Sequence, residues 1–387
     1  MEFVMQAREP RSNMSALSRE YGISRKTGYK WLNRYEAEGI RGLADRPRTP
    51  HSNPLAISVE TTLLVLRLRL EHRYWGPRKL RATLLREGHS APSTATLARV
   101  LRKAGMIGAR PGARPRRWEP QKPSIKADGP NALWTVDFKG WWRTQDGKRV
   151  ETLSVRDAWS RYLLCLEPLA KTDTKHVQAA FAQLFARFGL PDAIRSDNGP
   201  PFASITAPHG LTRLSAWWRC HGIPLERIEP GHPEQNGAHE RMHADVAREI
   251  ERTPSATWSE EKRRLERWRR DFNTRRPHEA LDMRVPGELY QRSARRFQSD
   301  LADWPHPDHF EQRQVGLKGG IKLAGRDRFI SESLKGRRVG LEATEVDTWR
   351  VWFCDLLLGQ LDQKSGSPLR HAAPPKGQEE RKLLPMS

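Results

Sequence analysis

Three carboxylates in this chain have the chemistry to act together: Asp137, Asp197 and Glu240. Asp137 sits at the end of a short apolar run, Leu133 to Phe138, and Asp197 follows another, Ala193-Ile194-Arg195. Glu240 comes just after Gly237, at the opening of a long polar helix. Strand ends and helix starts are where side chains leave a sheet for a cleft. Carboxylates meeting there repel one another unless a cation lies among them. Hard oxygen donors select Mg2+ or Mn2+ over zinc and leave positions open for water and phosphate. Two such ions about 3.5–4 Å apart would stabilise the attacking and leaving oxygens of an in-line phosphoryl displacement. Spacing alone does not single these three out of 46 acidic residues. Their surroundings must do so.

The runs around them dictate a mixed sheet. Leu133 to Phe138, Val150 to Val155 and Tyr162 to Leu166 read as consecutive strands. Val177, Ala180, Phe181, Leu184, Phe185 and Phe188 then recur at helical spacing, and Gly189 stops that helix. Ala193 to Arg195 is a short strand, Leu211 to His221 a helix and Ile223 to Ile228 a strand. The loop Glu229 to Asn236 leads into the helix of Glu240. Strands first, then strands alternating with helices, give an α/β core over residues 131–292. A highly charged helix runs from Trp258 to Asn273. Val315 to Leu358 alternates short apolar runs with Gly and charge, the pattern of a small all-β, barrel-like domain over residues 293–362. Residues 363–387 have little to bury and are expected to be disordered.

Net charge is +22, and residues 1–130 hold 26 Lys/Arg against 11 Asp/Glu, so +15 of it lies in the first third. Such self-repulsion is expected of a front end whose partner is a polyanion. Met14 to Glu20 and Arg25 to Ala37 read as two helices around the turn Tyr21-Gly22-Ile23-Ser24, with Ser24 as N-cap. Leu17, Ile23, Leu32 and Tyr35 can close a small core, which leaves Arg25, Lys26, Thr27 and Lys30 as candidates for DNA contact. That is a helix-turn-helix whose second helix enters the major groove; a helical hairpin with a merely solvated basic face is the alternative. Gly28 should weaken that second helix by roughly 1 kcal/mol. Gly42 to Pro54 reads as a linker, so the first domain with its linker covers residues 1–54. A second helix-turn-helix spans residues 55–110, with helices Pro77 to Glu87 and Ser93 to Ala104 around the break Gly88 to Pro92. Leu80, Leu84, Leu97, Val100 and Leu101 form its stripe, and Arg78 and Lys79 are candidates for DNA contact. Residues 111–130, rich in Pro, Gly and Arg, form an extended basic linker able to follow a phosphate backbone.

Cys165, Cys220 and Cys354 lie too far apart for a zinc finger or a disulfide framework, which suits a reducing compartment. The first residues lack the apolar stretch of a signal peptide, and Arg67 and Arg69 break the most apolar run, Thr61 to Leu70. No membrane span is expected.

Four words carry more information: W-T-V-D-F-K at 134–139, R-S-D-N-G-P-P-F at 195–202, H-P-E-Q-N-G-A-H-E-R at 232–241 and F-N-T-R-R-P-H-E-A-L-D-M-R-V-P-G-E-L-Y at 272–290. In this order they closely resemble bacterial insertion-sequence transposases of the retroviral-integrase superfamily. The resemblance covers roughly residues 10–290. It implies a multidomain chain of N-terminal helix-turn-helix units, a central ribonuclease-H-like α/β core and a small C-terminal β module. It also implies a D-D-E trio holding two Mg2+ or Mn2+ ions, falling on Asp137 within W-T-V-D, Asp197 within S-D-N-G and Glu240, with Arg241 beside it as a DNA contact. The implied activity is binding of terminal inverted repeats, metal-dependent DNA cleavage and strand transfer of a 3′-hydroxyl into target DNA. A dimer or larger assembly in the bacterial cytoplasm, on the nucleoid, would hold two ends together.

One departure matters: 42 residues separate Asp197 from Glu240, more than the family usually leaves, whereas Glu234 would leave 36. Gly237 and Arg241 frame Glu240 as the family frames its glutamate, and Ala203 to Arg213 looks like a loop insertion. Two other functions stay open: a sequence-specific DNA-binding regulator derived from a transposase without catalytic activity, and a ribonuclease H or junction nuclease on the same fold. His232, His239 and His243 cluster near Glu240, but without cysteines or a third ligand word no zinc site is expected. The pairs Trp141-Trp142 and Trp217-Trp218 read as core or interface. Arg275 and Arg276 read either as phosphate contacts or as a solvated face.

Overall fold

A computed structural model describes residues 1–46, 57–108, 127–204, 207–228, 236–300, 304–345, 347–364 and 368–371. The chain divides into two compact units, Met1–Val59 and Glu60–Ser387.

The first unit holds α1 (Glu2–Ala7), α2 (Met14–Glu20), α3 (Arg25–Glu38) and a 3-10 turn, Gly39–Leu43. Asn13 caps α2 by accepting from the Ser15 and Ala16 amides, and Ser24 caps α3 by accepting from Thr27 N at 3.1 Å. Phe3, Val4 and Leu17 form the buried centre, with Ile23, Leu32 and Tyr35 packed on it. Gly28 is what lets α3 sit there. A Cβ at this position would lie 2.8 Å from Phe3 Cζ and 2.9 Å from both Met14 Sδ and Ser18 Oγ. The glycine thus trades helix propensity for close approach of three helices. Gly42 is buried against α3, so the packed unit runs past the expected start of the linker. Residues 47–56 lie outside the described residues.

The larger unit opens with α4 (Val59–Glu71), α5 (Pro77–Arg86) and α6 (Thr94–Lys103), closed over Val65, Leu68, Trp75, Leu80, Leu84, Leu97 and Leu101. Most of the basic linker, 109–126, lies outside the described residues. Next comes a five-stranded sheet of β1 (Trp134–Arg143), β2 (Arg149–Asp157), β3 (Leu163–Leu169), β4 (Ile194–Ser196) and β5 (Leu225–Arg227). Its order is β3-β2-β1-β4-β5, antiparallel within the first three strands and parallel from β1 to β5. Helices α7 (Thr174–Phe188) and α8 (Arg213–Cys220) share one apolar cluster with Trp134, Val136, Leu153 and Val155. Helices α9 (Gly237–Val246) and α10 (Trp258–Thr274) share another with Trp142, Val150, Leu163 and Leu166. This is the mixed α/β core expected, sheathed by helices. The expected α7 stripe, Val177 to Phe188, is buried at all six positions.

The C-terminal module contains β6 (Glu311–Gln314), β7 (Gly320–Leu323), β8 (Arg326–Phe329), β9 (Arg338–Glu345), β10 (Thr348–Phe353), β11 (Leu356–Asp362) and β12 (Arg370–His371). It is an antiparallel sheet of order β12-β11-β10-β9-β6 with a β7–β8 hairpin. β12 corrects the expectation of a disordered tail from 363: Leu369 is buried in the module's core, and Arg370 and His371 pair with β11. Residues 372–387 lie outside the described residues. Leu211 and Ala216, which flank and belong to α8, are part of this same core. No helix among the described residues is long and apolar enough to cross a membrane.

Candidate active site

Strand pairing sets the positions of the two aspartates. Asp137 was expected at a strand end, but β1 continues six residues beyond it, with a bulge between Phe138 and Trp141. What ends near Asp137 is its neighbour. β4 pairs with β1 at Trp134/Ile194 and Thr135/Arg195, then stops at Ser196. Continued by two residues, that parallel register puts Asp137 level with Asp197, where β1 keeps β2 on one side but has lost β4 on the other.

The electrostatics of Asp137 reflect this closeness. The Asp137 carboxyl is pushed up to about 6, first by burial and then by the charge of Asp197; Asn236 and the Phe138 backbone oppose the shift, and the charge of Glu240 adds to it. Asn236 Nδ2 donates to Asp137 Oδ2 at 2.7 Å. The Asp197 carboxyl is also raised, by burial, against the pull of the Gly199 backbone. Its Oδ1 is buried and has no hydrogen-bond partner among the described residues. A Cβ on Gly199 would come within 3.1 Å of Asp197 Oδ2, so glycine keeps that oxygen uncrowded. A buried carboxylate oxygen without a donor, beside a second carboxyl whose charge is disfavoured by burial and by its neighbour, suits a hard divalent cation. Glu240 is exposed in the first turn of α9. Glu234 and His232 lie outside the described residues.

Several buried groups hold α9 in place. Arg156 Nη1 donates to Ala238 O at 2.9 Å. Arg276, whose side chain is 4% exposed, ion-pairs with Asp245 at 2.8 Å and Glu249 at 3.0 Å and lies over the Trp268 ring. It is neither a phosphate contact nor a solvated residue. It is a clamp between α9 and α10. Arg275 pairs with Glu71 of α4 at 2.8 Å. Ser154, directly opposite Asp137 in the β1–β2 register, meets His239 and His243 of α9.

The candidate DNA contacts differ in accessibility. Arg25, Lys26 and Lys30 are exposed on α3, whereas the Thr27 hydroxyl is engaged by Ser24 Oγ at 2.9 Å. Arg241 is exposed on α9, and Arg78 is exposed but lies 3.3 Å from Glu279. Lys79 turns towards the core, and its ammonium is pushed down to about 8 by burial, with the charge of Arg276 adding. Trp217 and Trp218 are core, as expected; of the other pair, Trp142 is buried and Trp141 is 53% exposed. The sequence reading missed Asn236, Ser154 and Arg156. Asn236 stood in plain view in the Q-N-G word. Ser154 and Arg156 become visible only once the hairpin register is known.

Residues 127–233 and 221–286 match the integrase core domain family, residues 1–51 a helix-turn-helix domain family, and residues 27–101 a homeodomain-like domain family. The insertion element IS407 uncharacterized 31.7 kDa protein of Burkholderia multivorans is 29% identical, over 58% of this chain and 78% of its own length. The insertion element IS476 uncharacterized 39.2 kDa protein of Xanthomonas euvesicatoria is 27% identical, over 62% of this chain and 66% of its own length. The Gag-Pol polyprotein of baboon endogenous virus is 26% identical over 49% of this chain, which spans only 10% of that polyprotein. Among solved structures, the HTLV-2 integrase catalytic core domain in complex with magnesium aligns over 43% of this chain and 100% of its own, at TM-score 0.31 and 14% identity.

Proposed function

We propose that this chain is a DDE transposase acting on the ends of an insertion element, because residues 127–233 and 221–286 match the integrase core domain family and the chain is similar to proteins of bacterial insertion elements. The observation that carries this reading is the state of Asp137, whose carboxyl feels the charges of both Asp197 and Glu240 and lies level with Asp197. Arg25, Lys26 and Lys30 hold the terminal repeats through phosphates and base edges in the major groove. Ser24 caps their helix with the Thr27 hydroxyl beside it, and the exposed Arg78 and Arg241 steady the DNA near the core.

Asp137, Asp197 and Glu240 hold Mg2+ or Mn2+, two ions per site. Bound there, the cations supply positive charge to both oxygens of a phosphodiester displacement. The protein's own part is positional. Asn236 fixes one oxygen of Asp137, Gly199 leaves Asp197 accessible, and Arg156 and Arg276 fix the helix that presents Glu240. The products are a free 3′-hydroxyl at the element's end and then its joint to target DNA. Two ends must meet, so a dimer or larger assembly works on the bacterial nucleoid in the cytoplasm.

The test uses duplex oligonucleotides carrying the element's ends, with Mg2+. Asp137→Asn and Glu240→Gln should each lower cleavage and strand transfer by about 10²-fold or more, with end binding near wild type. Glu234→Gln should leave both intact. The opposite pattern would move the third carboxylate to Glu234, and retained transfer in Asp137→Asn would refute the reading. End binding by the wild type without any metal-dependent product would mark a DNA-binding regulator instead.

A further inference from the structure

The two histidines of α9 have no part in the reaction so far, yet one ligand atom from each of Asp137, His239 and His243 lies within 4.8 Å of the others. Counting protons separates their roles. Ser154 Oγ has one proton, and it goes to the Asp137 carbonyl at 2.9 Å, which can only accept. The Ser154 lone pairs must therefore accept from His243 Nε2 at 2.9 Å and from His239 Nδ1 at 3.2 Å. His239 Nε2 then accepts from the Thr135 hydroxyl at 2.7 Å, so both of its nitrogens are spent. His243 is left with a bare lone pair on Nδ1, facing Asp137 Oδ2 at 3.8 Å. That is too long for a hydrogen bond, and there is no proton to share. Burial, with the charges of Lys139 and Arg156, pushes the His243 pKa down to about 3, which agrees with a neutral ring.

Two electron-pair donors facing each other at this separation are reconciled by a cation between them; each bond of about 2.1 Å is longer than half the gap. We propose that His243 Nδ1 is a metal ligand beside Asp137, so that one of the two cation positions is a mixed nitrogen–oxygen site that favours Mn2+ over Mg2+. The inference rests on the carboxylate metal site proposed above and adds a ligand to it. Ser154 and His239 act as positioning residues, because they fix the ring and its tautomer.

The experiment is pulsed electron paramagnetic resonance of Mn2+ titrated into the full chain, with and without 15N-labelled histidine. Nitrogen modulation that changes with the label is expected in the wild type. His243→Gln should abolish it and weaken Mn2+ binding about 10–100-fold, with a much smaller effect on Mg2+. Asp137→Asn should abolish Mn2+ binding. No nitrogen coupling in the wild type, or coupling that survives in His243→Gln, overturns the ligand assignment even if Asp137→Asn loses the metal. Mn2+ binding that persists unchanged in Asp137→Asn overturns the carboxylate site itself and the ligand assignment with it.

Discussion

Asp137 is costly to the metal-free protein. Burial and the neighbouring carboxylates raise its pKa from 3.8 to about 6, so the folded state holds its proton more tightly than the unfolded chain does. The corresponding stability is complete below 3.8 and is lost as pH rises through 6. Without metal at pH 7.5, Asp137→Asn should therefore be more stable than wild type by about 1–3 kcal/mol, and the gap should close near pH 4. Denaturant melts at both pH values check this; a gap that does not depend on pH refutes it. At this scale the sequence words pointed to the acidic side chains themselves. The partners were harder to see. Asn236 reaches Asp137 across 99 positions and Ser154 across 17, so their pairing is decided by strand register and not by local composition.

Among the elements, legibility followed periodicity. The six apolar positions of α7 fall on one face and were readable at once. α4, VETTLLVLRLRLE, mixes Leu and Val with Glu, Thr and Arg around its circumference and has no single apolar face to read, so nothing marked it as a helix. β1 was cut short because the bulge after Phe138 breaks the alternation that signals a strand, sending Trp142 inward while Trp141 stays exposed. Gly28 is the clearest reversal. Propensity alone would favour alanine there by about 1 kcal/mol, but the space is already filled by Phe3, Met14 and Ser18. Gly28→Ala should instead cost about 1–3 kcal/mol, read as faster amide exchange across α3 in the full chain. Slower exchange would mean that the three helices part easily.

Across the whole chain, the segment between β4 and α8 packs on a distant module. Leu211 is buried in the C-terminal core, His209 Nε2 meets Leu357 O at 2.8 Å, and Ser333 Oγ donates to Leu211 O at 2.8 Å. One helix later, Arg219 pairs with Asp355 at 2.5 Å, with side chains 8% and 14% exposed. No sequence rule could have paired segments more than a hundred residues apart. Removing one partner of so buried a pair leaves the other charge uncompensated, so Asp355→Ala should cost about 3–5 kcal/mol, whereas Arg219→Met combined with Asp355→Leu should cost much less. A double-mutant cycle in denaturant measures both; equal losses would show that the charges contribute nothing to each other. The segment after β4 and the last sheets share one hydrophobic centre, to which Leu211 and Ala216 come from the former and the other buried side chains from the latter. A graft of the last sheets alone would therefore arrive without two of the side chains that close their centre.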